Sequence, residues 1–182
     1  EANVLLALHK IAGRSVVLTP NDRVGSNVKE IVKNFSPQTT IFTAKDIEEN
    51  KNAFIDNENA MVVLANRFDG IDFPDDESRL LIVIALPRVT NIQEKFLVSR
   101  MGGTILYSER IRTRIVQAVG RCTRNTRDYS VVCILGSTII KDLIEPNKLE
   151  RYSPELRAEI EFGIENSSEY KDIQEIEVQV KS

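Results

Sequence analysis

The chain has 182 residues, enough for one core of ordinary size, so one domain is the expectation. Its composition, 42% hydrophobic and 28% charged with no tryptophan, is that of a soluble globular protein. A formal charge of -3 confines any affinity for nucleic acid to a local patch, and the longest apolar run, LLIVIAL at 80–86, is far short of the roughly 18 residues of a membrane span.

The chain begins at Glu1 rather than methionine and reads as a piece of a longer protein. It opens without a charged-then-apolar leader, and its two cysteines, Cys122 and Cys133, lack metal or redox spacing, so a cytoplasmic setting is expected. Both cysteines are read as packing residues. His9, in LLALHKI, has no candidate ligand nearby and is read as an ordinary helical histidine, so no metal site is predicted.

In chain order, SVVLT (15–19) reads as a strand, 22–35 as an amphipathic helix, TTIFT (39–43) as a strand and about 46–55 as a helix. AMVVLA (60–65) and LLIVIALP (80–87) follow as strands, then helices at about 91–101 and 108–124, and the strand SVVCIL (130–135). The strands are continuously apolar and β-branched, the pattern of a parallel sheet covered on both faces. Alternation of strand and helix predicts right-handed crossovers and an α/β doubly wound, mostly parallel sheet. SPELRAEIEFGIENS (153–167) is a predicted helix, with Ser153 as its cap, Pro154 at its first position and Leu156, Ile160 and Ile164 as its docking stripe. The domain is expected to end at 167, with 168–182 an extension holding either an extra strand at about 173–180 or a tail.

The stretch RIRTRIVQAVGRCTRNTRDY (110–129) holds six arginines and no lysine. On a helical wheel Ile111, Ile115, Ala118, Val119 and Cys122 form one apolar stripe, with Arg112 beside it. Arg110, Arg114, Gln117, Arg121 and Arg124 gather on the opposite side. An ordinary solvated face would mix charge signs and include lysine. A face of planar, bidentate cations alone is suited to phosphate or carboxylate.

Gln117, Gly120, Arg121 and Arg124 spell Q-x-x-G-R-x-x-R, followed by Asp128–Tyr129 and a strand. This resembles motif VI of superfamily 2 helicases, in the form used by the DinG- and XPD-like branch of DNA helicases. The resemblance implies a RecA-like second motor domain. In it Arg121 and Arg124 would reach the γ-phosphate of ATP held by the other motor domain, with Gln117 in the same network. Gly120, where a side chain would crowd the phosphate, and Asp128 are expected beside the nucleotide.

ANRFDGIDFPDD (65–76) resembles motif V of the same branch through Asp69, Gly70, Asp72, Phe73 and Pro74, although Asp69 stands where the family has glutamate. That resemblance implies contact with both nucleotide and nucleic acid. GRSVVLTPNDRVGSNVKEIVKNF (13–35) resembles the opening strand and helix of such a domain, with Thr19, Asn21 and Arg23 as candidate backbone contacts, joined by Arg67 of the motif V stretch. Asn21 or Asp22 acting as a simple helix cap is the equal alternative for that turn.

No G-x-x-x-x-G-K-[ST] phosphate loop and no DEAH-type metal motif occurs, so ATP and Mg2+ are expected on a separate N-terminal motor domain. The favoured partner is single-stranded DNA, with RNA open and no membrane. Two alternatives stand: a double-stranded DNA translocase, and a non-catalytic module whose arginine face grips nucleic acid or an acidic protein.

Overall fold

The computed structural model describes residues 1–65, 71–85, 113, 116–117 and 130–169. In order they form α1 (Ala2–Ala12), β1 (Arg14–Thr19), α2 (Asp22–Phe35), β2 (Thr40–Thr43), α3 (Ala44–Asn50), α4 (Asn52–Ile55) and β3 (Ala60–Ala65). A 3-10 turn (Asp75–Glu77) precedes β4 (Leu80–Ile84), and β5 (Val131–Leu135), α5 (Ser137–Ile144), α6 (Pro146–Leu149) and α7 (Pro154–Glu169) complete the described elements. Among these residues there is one sheet of five strands in the order β2-β3-β1-β4-β5, with every neighbouring pair parallel.

Alternate strand residues feed two cores. Val16, Leu18, Val62, Leu64, Leu81 and Val83 pack with Ile47 of α3, Phe54 of α4, and Ile139 and Leu143 of α5. Val17, Met61, Val63, Leu80 and Ile82 pack with Leu5 and Leu8 of α1 and Val28 and Val32 of α2. Helices therefore cover both faces, as the unbroken apolar runs of the strands require. The architecture is the doubly wound, RecA-like α/β sheet expected from sequence. No helix among the described residues is long and apolar enough to cross a membrane.

Local chemistry moves several boundaries. The helix expected at 46–55 starts earlier because Thr43 and Asp46 form a capping box, and it divides at Lys51 into α3 and α4. β4 stops at Ile84 rather than 87, because Ala85 takes a left-handed φ of 57° that ends the extended run. Helices α5 and α6 occupy a stretch in which no element was expected. The first forms because Ile139 and Leu143, four residues apart, are both buried. The predicted stripe of α7 docks only in part: Leu156 and Ile160 pack on the core, while Ile164 is 38% exposed. Helix α7 runs on to Glu169, across the expected domain end at 167. The helices expected at 91–101 and 108–124, apart from residues 113 and 116–117, and the segment from 170 onward lie outside the described residues.

His9 is helical, as expected, and it is also the hub of a buried polar network. The Ser15 hydroxyl donates to Nδ1 at 2.8 Å and Nε2–H donates to Asn59 Oδ1 at 3.1 Å, while the Thr39 hydroxyl donates to the same oxygen at 3.0 Å. Burial lowers the pKa of His9 below its ordinary value, and the bond to Asn59 opposes that only in part. A depressed imidazole pKa gives stability that is complete above the unfolded value, about 6.5, and lost as pH falls, because the unfolded chain then takes up a proton the folded one resists. The melting temperature of the chain is expected to decline between about pH 7 and 5. In His9→Gln, less stable throughout, that decline should flatten; an unchanged slope would show that other groups cause it.

Next to this network the chain turns from α1 into β1 at Gly13, where φ is 72° and an added Cβ would sit 2.5 Å from Glu58 O. Only glycine allows so close an approach.

Cys133 is half-buried in β5, and burial pushes its thiol up to about 11. At neutral pH it is a packing residue, as expected from its lack of motif partners.

Candidate functional site

Because all five strands are parallel, their carboxyl ends lie along one edge, where ligands bind in sheets of this kind. Thr19 pairs directly with Ala65, so the turn after β1 and the motif V stretch after β3 leave the sheet at adjacent points. On the other side of β1, β4 and β5 end together at Ile84 and Leu135. There Ala85 N–H donates to Leu135 O at 3.1 Å, and both Ala85 and Gly136 hold positive φ, at 57° and 110°. A non-glycine residue in that region stores strain, which structures keep mostly at ligand-facing turns.

Gly25 sets how closely α2 sits over this edge, a role that sequence reasoning missed. A Cβ there would lie 3.2 Å from Thr19 Oγ1 and 3.7 Å from Ala65 Cβ, so the first turns of α2 rest directly on the ends of β1 and β3. A glycine inside an otherwise helical pattern was the available signal.

The candidate backbone contacts divide. Thr19 is fully buried and its hydroxyl donates to Asn21 O at 3.3 Å, so its place is inside the turn, out of reach of a phosphate at the surface. Asn21 is exposed and caps α2, its Oδ1 accepting from Val24 N–H at 3.0 Å. That bond leaves its amide NH2 free of the cap. Arg23, in the first turn of α2, is exposed. The turn after β1 thus offers one amide and one guanidinium, while Thr19 shapes their support.

Of the motif V residues, Asp72 is half-buried and Phe73 fully buried; Arg67, Asp69 and Gly70 lie outside the described residues. Phe73 stacks edge-on against Phe54 at 5.4 Å, so the hydrophobic position of that motif is a core residue. Of the arginine stretch, Thr113, Val116 and Gln117 are helical and exposed. Gln117 therefore stands on an exposed helix face. Gly120, Arg121, Arg124 and Asp128 lie outside the described residues. No group of three or more His, Cys, Asp or Glu side chains among the described residues is placed to hold a metal ion.

Residues 4–151 match the family model described as a helicase C-terminal domain. In an alignment 89 residues long that covers 44% of this chain, the sequence is 35% identical to the ATP-dependent DNA helicase chl-1 of Caenorhabditis elegans. That alignment spans 11% of the length of the nematode protein. The family match takes in β1 to β5, the carboxyl edge they share, and both the motif V and motif VI stretches. The chain belongs to the helicase C-terminal domain family.

Proposed function

We propose that the chain is the second motor domain of an ATP-dependent DNA helicase of the DinG- and XPD-like branch, acting on ATP and Mg2+ held by a preceding motor domain of the same protein. The observation that carries this reading is the spacing Gln117, Gly120, Arg121, Arg124 inside a domain of the helicase C-terminal family. Arg121 and Arg124 place planar cations against the transferred phosphoryl group, where negative charge spreads in the transition state. Gln117 adds a polar contact from the same helix face, and Gly120 and Asp128 border the nucleotide. Asp69, Gly70 and Asp72 connect nucleotide state to the bound strand. Asn21, Arg23 and Arg67 hold the phosphate backbone of single-stranded DNA without reading bases.

Fluorescence anisotropy with labelled single strands tests the grip. With only a few phosphate contacts on an acidic domain, binding should be weak and should fall roughly tenfold or more between about 50 and 200 mM salt. Tight binding indifferent to salt would favour a non-catalytic binding module instead.

A further inference from the structure

The residues after Asp72 are held with unusual thoroughness, and by groups far from them in sequence. Arg14, at the amino end of β1, donates from Nε to Glu77 O at 3.0 Å, from Nη1 to Ile55 O at 3.0 Å, and from Nη2 to Asp76 O. One guanidinium thus ties β1, the end of α4 and the 3-10 turn together. It binds backbone carbonyls rather than a carboxylate, so it fixes where the chain runs. Lys51, at the junction of α3 and α4, pairs with Glu77, whose Oε2 is shielded from solvent and has this ammonium as its counter-charge. The same ammonium lies 5.2 Å from the centre of the Phe73 ring, which is itself stacked on Phe54. Residues 73, 76 and 77 are therefore each secured, and Asp72 is the residue directly before them.

We propose that Arg14 and Lys51 are positioning residues for Asp72: they clamp the downstream end of the motif V stretch so that the carboxylate keeps one place relative to strand and nucleotide. This rests on the function proposed above. A clamp acting through backbone position should affect the coupling of DNA binding to ATP turnover, beyond any effect on stability. In a bond network of this kind, displacement of about 1 Å at the site is sufficient to cost one to two decades in rate.

The test uses the full-length protein, with ATP turnover measured with and without single-stranded DNA and melting temperature measured in parallel. Arg14→Lys keeps the charge but loses the planar fork that spans the three carbonyls, and Lys51→Met keeps the stem over Phe73 but removes the charge. Val32→Ala, in the core on the opposite face, is the control for general loosening. In Arg14→Lys and Lys51→Met the ratio of stimulated to unstimulated turnover should fall roughly tenfold, while Val32→Ala keeps the wild-type ratio at a comparable loss of melting temperature. If Arg14→Lys does not fold, Lys51→Met decides. A wild-type ratio in folded clamp variants, or an equal loss in Val32→Ala, overturns the clamp alone. A wild-type protein whose turnover DNA does not stimulate overturns the proposed function, and the clamp with it.

Discussion

Replacing Arg124 by alanine in the full-length protein is expected to reduce ATP turnover roughly a thousandfold or more, the scale of arginine fingers in phosphoryl transfer. ATP affinity should weaken far less, because most ground-state contacts belong to the domain that cradles the phosphates and the guanidinium is needed chiefly when charge moves. Arg124→Lys should recover little, since a point charge on a flexible stem does not reproduce a planar fork. Arg112 is the control within the same predicted helix: the wheel sets it beside the apolar stripe, and Arg112→Ala should remain active. Turnover and nucleotide affinity for the three variants decide the matter. Equal losses in Arg112→Ala and Arg124→Ala, or near wild-type turnover in Arg124→Lys, would show that another face of the helix meets the nucleotide.

The largest effect on stability is expected at Phe54. Its side chain is fully buried, edge-on to Phe42 at 5.8 Å and to Phe73 at 5.4 Å. It therefore joins β2, α4 and the stretch leading to β4 in one aromatic cluster. Phe54→Ala removes both ring contacts and leaves a cavity that the close-packed sheet cannot fill, at a cost of about 3–5 kcal/mol. Against a total of about 5–15 kcal/mol for a domain, that is a large fraction. In urea the midpoint should fall while the slope is retained. Phe35, 74% exposed at the end of α2, is the matched comparison, and Phe35→Ala should shift stability by no more than about 0.5 kcal/mol. Similar losses at both positions would mean that the aromatic cluster is not the centre of this core.

What the sequence disclosed follows from how far each signal reaches along the chain. The strands were legible because burial on both faces makes them continuously apolar, and β3 falls on AMVVLA residue for residue. Helix α2 was legible for the same local reason: its bounds of 22–35 follow from a cap at Asn21 and a repeating apolar face. Helix α5 was missed because eight residues carry only two buried apolar positions, too few for a period to stand out. Arg14 and Lys51 were beyond local reading. Arg14 bonds to carbonyls 41 and 63 residues away, and no propensity or spacing encodes such partners. His9 was read as an ordinary helical histidine because its partners Ser15, Thr39 and Asn59 form no metal or catalytic pattern, and they meet only when α1, β1 and the turns leading into β2 and β3 are folded together. Thr19 was named as a candidate backbone contact, and its burial was not legible, because the sequence does not reveal that α2, through Gly25, closes over it. The arginine motif could be named because residues three and four apart share a face of a predicted helix; that reading rests on spacing alone, and Gly120, Arg121 and Arg124 lie outside the described residues.

On the proposed function, the chain contributes arginines to a nucleotide held elsewhere and supplies no phosphate cradle of its own. Calorimetry of the purified 182-residue chain with ATP and magnesium, followed by a phosphate-release assay on the same sample, tests this directly. The expected result is no measurable binding heat at micromolar concentrations and no release of phosphate above background. A micromolar dissociation constant, or steady turnover by the chain alone, would contradict it.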